Sequence, residues 1–190
     1  HIRADASMTI NGLVRWTISH GLAGLEAWAG TPGTVGGAVF GNAHFGGRLI
    51  SERISSVRLV SADGVVRDVP VEEMGFGYDQ SRLQRSGEIL LSADFIVEPG
   101  EPVRLREVAR QSLAYRKRTQ PLDVPSAGCI FKNPAAVPAG RLVDELGLKG
   151  TRVGGAAISE VHGNFIVNEG NATAADVLAL IAIIRDRARE

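Results

Sequence analysis

Cys129, the only cysteine in the 190-residue chain, lies in the stretch PSAGCIFKNP, residues 125–134. Ser126, Ala127 and Gly128 before it carry little side chain and leave space above the thiol. Lys132 and Asn133 follow at the spacing of a strand end, and YRKRTQP upstream adds Arg116, Lys117 and Arg118. Cations and an amide around one thiol suit a phosphate or carboxylate ligand, and a nearby cation eases release of the thiol proton. Cys129 can thus be a nucleophile or a general acid. A nucleophile needs a base beside it, commonly His. His1, His20, His44 and His162 are all remote from it in sequence, so spacing does not choose. Two plainer readings stand beside these: a small buried hydrophobe for the cysteine, and a solvated helix end for 116–118, where the helix dipole favours cations. No Cys/His spacing resembles a zinc site. His162, in SEVHGNF, reads as a satisfied polar residue at a strand start.

A second stretch, AGTPGTVGGA at 29–38, is rich in residues with little or no side chain. Such a loop lets backbone N–H groups approach a phosphate or a flat ring, and exposed N–H clusters favour anions. It contains neither the G-x-G-x-x-G fingerprint nor the Gly-Lys-Ser/Thr of a P-loop. By composition alone it reads as a tight connection packed on a strand.

These stretches need elements to hold them. Thr9–Ser19 has the periodicity of a short amphipathic helix, and SSVRLVSADGVVRDVP reads as a hairpin about Asp63-Gly64. Glu88–Gly100 reads as a strand and Pro102–Lys117 as a helix, followed by a Pro-containing loop. Arg141–Leu146 suggests a short helix stopped by Gly147, and HGNFIVNEGNAT a strand and a turn. Thr173 and Asp176 suggest a capping box for a last helix with Val177, Leu180, Ile181 and Ile184 inward. The mixture is α+β rather than a regular β-α-β alternation.

Composition bounds the partners. Twenty-one Lys and Arg balance 21 Asp and Glu, so no whole-chain field draws nucleic acid or anionic lipid. No apolar run is long enough to span a membrane, and a single cysteine forms no internal disulfide. A cytoplasmic protein with neither nucleic-acid nor membrane partners is expected; the oligomeric state is not legible.

Taken together and in order, AGTPGTVGGAV followed by GNA, RKRTQP, PSAGCIFKNP, LGLKGTRVGGAAIS and GNFIVNEGNATAADV strongly resemble MurB-type UDP-N-acetylenolpyruvoylglucosamine reductases over almost the whole chain. The resemblance implies the C-terminal part of a vanillyl-alcohol-oxidase-like (PCMH-type) FAD-binding domain at 1–100. It places a small α/β substrate-binding domain at 101–190. It implies FAD and NADPH as cofactors, UDP-N-acetylglucosamine enolpyruvate as the small-molecule substrate, and UDP-N-acetylmuramate, a peptidoglycan precursor, as product. Hydride passes from NADPH through the flavin to the vinyl ether, whose α-carbon then takes a proton from a Ser of the family's motif. Cys129 stands at that position, and a thiol is a stronger acid than a hydroxyl. Thr31, Pro32, Gly33, Thr34, Gly36, Gly37 and Asn42 are then expected along the flavin. Tyr78, Arg116, Lys132, Asn133 and Asn164 are expected along the substrate.

The chain departs from that pattern in three places. The family commonly has Arg after the Tyr of G-Y-R-x-S, whereas FGYDQSRLQ has Asp79, a carboxylate that would repel an enolate. Arg82, three residues on, is a candidate replacement cation, with a surface Arg as the equal alternative. GNAHFGG stands for the commoner NAGAYG, so His44 and Phe45 alter the rim of the site. The family's opening flavin loop and a closing Glu-bearing segment are expected outside residues 1–190, and a piece without them is expected to turn over little substrate. Two other functions remain compatible: another FAD oxidoreductase of the same fold, and a nucleotide-sugar-binding module without chemistry.

Overall fold

A computed structural model describes residues 1–189. By packing, the chain forms two units that divide between Ala114 and Tyr115. The first begins with β1 (Ile2–Asp5) and α1 (Ile10–Ser19), whose cap Thr9 accepts the N–H of Gly12 on its side chain. Ile10, Leu13, Val14, Thr17 and Ile18 are the buried face of α1, as the 3.6-residue period requires. Then come β2 (Leu22–Ala23), the short α2 (Val35–Phe40), and a small hairpin of β3 (His44–Phe45) and β4 (Arg48–Leu49). β5 (Ile54–Val60) and β6 (Val66–Pro70) form the hairpin expected about Asp63-Gly64, with Gly64 at φ +83°. One helical turn, α3 (Leu83–Ser86), leads to β7 (Ile89–Phe95), β8 (Glu98–Pro99) and the long α4 (Pro102–Thr119).

The main sheet is antiparallel in the order β1-β7-β5-β6. Val57, Leu59, Val69, Ala93 and Phe95 point from it into a core shared with Trp28, Val35, Val39 and the inner face of α1. The other face bears paired charges: Arg3 opposite Asp94 and Arg58 opposite Asp68, each a two-bond guanidinium–carboxylate contact.

The second unit has its own antiparallel sheet, β10-β11-β12-β9 in spatial order. Its strands are β9 (Ser126–Cys129), β10 (Arg152–Val153), β11 (Ala156–Ile158) and β12 (Phe165–Asn168). α5 (Ala139–Glu145) and α6 (Ala174–Arg187) complete it. Val143, Leu148, Ala156, Ile158, Ile166, Leu180 and Ile184 make its core. The capping box at α6 is present with both of its bonds, Thr173 to the Asp176 N–H and Asp176 to the Thr173 N–H. The boundary expected before α4, at 100/101, differs from the division seen by packing. Leu105 belongs to the first core and Ala109 packs against it, so the first half of α4 is bound to the first unit.

Candidate functional site

In the first unit the site is built around α2. Its cap, Thr34, accepts the Gly37 N–H on its hydroxyl at 3.2 Å. The preceding N–H groups are used inside the protein: Val35 donates to Met8 O and Gly36 to Ala6 O, both at 2.8 Å. A Cβ at Gly36 would stand 3.1 Å from Ala6 O, a tight contact that the small glycine avoids where the two backbones approach. Gly33 is different. It has φ +94°, and nothing lies within 4 Å of where its Cβ would be. Thr31, Pro32 and Gly33 thus form an accessible turn against which a flat group can rest. Gly36, Gly37 and Phe40 also line an open surface depression of about 370 Å³, with Leu83, Glu88, Ile89 and Leu90 along its other side.

Past the end of α2, Asn42 is fully buried at φ +43°. Its Nδ2 donates to Gly77 O at 2.9 Å and its Oδ1 accepts from Ser51 N–H at 3.2 Å. It fastens the segment after α2 to the turn carrying Tyr78 and Asp79. Ser81 and Gln84 reinforce that join by donating to Phe40 O, and Gln84 also donates to Asp79 O. Within the join, His44 Nδ1 lies 3.0 Å from Asp79 Oδ1, and the His44 and Tyr78 rings are 4.9 Å apart. Arg82 points elsewhere: its Nε donates to Glu88 at 2.7 Å, and Arg67 binds the same carboxylate. The two guanidinium groups hold the Glu88 carboxyl down at about 2, with the Arg67 hydrogen bond the largest cause.

In the second unit Cys129 ends β9, opposite Phe165 of β12, and is exposed. Gly128 just before it has φ +84°, a conformation that a side chain resists. The chain leaving Cys129 is clamped by Asn164, which is only 2% exposed. Asn164 O accepts from Ile130 N–H at 2.9 Å, its Oδ1 from Phe131 N–H at 2.9 Å, and its Nδ2 donates to Phe131 O at 2.8 Å. Asn133 Oδ1 accepts the Ala139 N–H at 3.0 Å and so caps the start of α5, whose own cap residue, Pro138, supplies no side-chain bond. Lys132 is exposed. Arg116 is buried, donates to Gln120 Oε1 at 3.3 Å, and has its pKa lowered by that burial. His162 is half-buried; its Nδ1 accepts the Asn164 N–H at 3.1 Å, and burial lowers its pKa.

Comparison with known proteins places both units. Residues 120–190 match the family model described as UDP-N-acetylenolpyruvoylglucosamine reductase, C-terminal domain, and residues 1–70 match one described as FAD binding domain. A UDP-N-acetylenolpyruvoylglucosamine reductase from Synechococcus sp. (strain CC9605) is 45% identical over 184 residues, 96% of this chain and 61% of its own. That of Chlamydia felis (strain Fe/C-56) is 43% identical over 186 residues, 98% of this chain and 62% of its own. The crystal structure of the reductase (MurB) from Thermus caldophilus superposes with a TM-score of 0.90 at 39% identity, covering 97% of this chain and 68% of that one. The chain belongs to the UDP-N-acetylenolpyruvoylglucosamine reductase family. It spans about three fifths of the length of the curated relatives it matches, 61% and 62% in these two cases.

Within this family frame, the expected α+β class and the FAD-binding-type first domain hold. The expected residues fall into two local groups. Thr31, Pro32, Gly33, Thr34, Gly36, Gly37, Asn42, Tyr78 and Asp79 lie around α2 and the turns joined to it. Cys129, Lys132, Asn133 and Asn164 lie around the end of β9, with Arg116 in α4 of the same unit. Several do structural work that sequence reasoning missed. Asn42 and Asn164 use their amides on backbone, and the Gly36 N–H is occupied. Glu88 was not foreseen as the partner of Arg82, nor His44 as the partner of Asp79. A signal existed only for the second pair, since both of its members sit at departures from the family pattern.

Proposed function

We propose that this chain carries the flavin-side and substrate-side machinery of an NADPH-dependent reductase. That reductase turns UDP-N-acetylglucosamine enolpyruvate into UDP-N-acetylmuramate. The carrying observation is the exposed thiol of Cys129 at the end of β9, just before Ile130 and Phe131, which Asn164 binds through its backbone and side chain; the thiol stands where the family's motif has its proton donor. The accessible turn at Thr31–Gly33, with open space over Gly33, fits a flat cofactor lying against backbone, and Thr34 and Gly37 extend that surface. FAD, when bound, supplies a two-electron carrier that accepts hydride from NADPH and passes it to the substrate. Cys129 holds the proton that completes the reduction at the neighbouring carbon, and after turnover its thiolate recovers a proton from solvent. Lys132 and Asn133 stand four residues or fewer beyond the thiol and supply a cation and an amide for the substrate's anionic groups.

The test separates the half-reactions in the protein as its gene encodes it. With Cys129→Ala, NADPH should still bleach the flavin at the wild-type rate, while reoxidation by the enolpyruvyl substrate should fall by about 100-fold or more. Cys129→Ser should keep measurable turnover. If the substrate fails to reoxidise reduced wild-type flavin, another oxidoreductase of this fold becomes the better reading. A binding module without chemistry is favoured by one observation, the commitment of Arg82 to Glu88, which leaves Asp79 without that cation.

A further inference from the structure

His162 stands at a junction in the second unit, and each of its contacts leads toward the segment that carries Cys129. Its Nδ1 accepts the Asn164 N–H at 3.1 Å. Asn164 in turn accepts the Ile130 N–H on its backbone carbonyl, and its side chain binds both the N–H and the carbonyl of Phe131. The imidazole also meets the edge of Phe165, with ring centroids 4.9 Å apart and planes at 62°, and Phe165 pairs with Cys129 across the sheet. A third contact is Gly140 of α5, the helix whose start is capped by Asn133. A Cβ at Gly140 would stand 2.8 Å from the ring's Cε1.

We infer that His162 is a positioning residue for the proton donor: through its Nδ1 bond to Asn164 it fixes the chain that leaves Cys129, and with it the aim of the thiol. The role of the thiol rests on the function proposed above; the bond rests on geometry alone. A backbone N–H only donates, so Nδ1 is the unprotonated nitrogen of the ring, and the neutral imidazole carries its proton on Nε2. The loop around it leaves little slack. Ser159 Oγ accepts the N–H groups of Val161 and His162, and the His162 carbonyl accepts that of Phe165 at 2.9 Å. A Cβ at Gly163 would stand 2.6 Å from Gly140 O, so backbone lies against backbone where α5 meets the Gly163–Asn164 peptide. In packing this close, a shift of that peptide is passed on to residues 130 and 131 rather than absorbed. What the ring contributes is an acceptor for an N–H two residues ahead. Asn offers the same acceptor, because its side-chain oxygen reaches that N–H as an Asx turn. Ala offers none.

Single-turnover kinetics on the protein as its gene encodes it separate this role from a purely structural one. His162→Ala should leave bleaching of the flavin by NADPH within about twofold of wild type, and should slow reoxidation by saturating enolpyruvyl substrate about tenfold. His162→Asn, which restores the acceptor without the ring, should recover most of that rate. Equal slowing of both half-reactions by His162→Ala, no slowing of either, or a His162→Asn protein as slow as His162→Ala, overturns the inference. If the substrate fails to reoxidise wild-type flavin, the reductase reading fails instead, and Cys129 itself decides the positioning. Its rate of reaction with a small neutral disulfide should then change in His162→Ala and stay at the wild-type value in His162→Asn. Long-range ¹H–¹⁵N spectra of the wild-type imidazoles need no variant to fold: His162 should show a bare Nδ1 and its proton on Nε2. A neutral His162 ring protonated on Nδ1 overturns the bond.

Discussion

At the scale of single residues, the amides and carboxylates of this protein do more holding than their types suggest. Asn164 is the clearest case. Its two side-chain bonds to Phe131 cross 33 residues of sequence and fix the backbone two positions beyond Cys129. Asn164→Ala would leave the Phe131 N–H and carbonyl without those partners, and about 2 kcal/mol of stability should be lost in urea melts. Thiol reactivity toward a small disulfide reagent should also rise as the segment loosens. The chemistry-bearing types were legible: Cys129, Lys132, Asn133 and the glycines stand out by composition and spacing. Their bonds were not, because a one-dimensional pattern shows which groups are present and not which ones the fold brings together. Arg82 and Glu88 are only six residues apart, but the turn of α3 and Gly87 at φ +70° between them decide that they meet.

At the scale of elements, local rules were good predictors wherever one element carries its own signal. The helix read at Thr9–Ser19, the Asp63-Gly64 hairpin and the Thr173/Asp176 box all formed where residue chemistry placed them, with Thr9 serving as the cap of that helix rather than its first residue. Thr173→Ala should cost about 1 kcal/mol, read by thermal or urea denaturation, by removing one bond of that box. α2 was not foreseen as a helix. Two glycines in six residues are poor helix formers, and its start is held instead by the Thr34 cap and by backbone bonds to Ala6 and Met8. The two-residue strands β3 and β4 also escaped notice, since neither is long enough for an alternating pattern to register. α4 shows the reverse problem: its extent was read closely, but its allegiance was not. Only the packing of Leu105 and Ala109 assigns its first half to the first core.

At the scale of the whole molecule, a chain of zero formal charge keeps its electrostatics in local pairs. Folding lowers the pKa of Asp63, Asp68, Glu88, Asp94 and Asp176, mostly through hydrogen bonds from Arg, Thr or Ser, and burial lowers that of His162. A depressed pKa means that the unfolded chain binds more protons, so each group loses stability as pH falls. For His162 the loss begins below its ordinary value of 6.5. For Glu88 it runs from 4.5 down to about 2. Urea midpoints should therefore decline only slightly from pH 7 to 5 and steeply below pH 4.5, the ordinary value for Glu88. Glu88→Gln should lower the midpoint at pH 7 and flatten the acid limb. The Glu88 cluster also sets the sign of the field beside α2. Two permanently charged guanidinium groups surround one carboxylate that stays ionised almost to the acid limit, so the trio sums to a single positive charge. Glu88, which lines the depression with Gly36 and Gly37, is therefore charge-compensated by its two neighbours and confronts a negatively charged visitor with no unpaired negative charge.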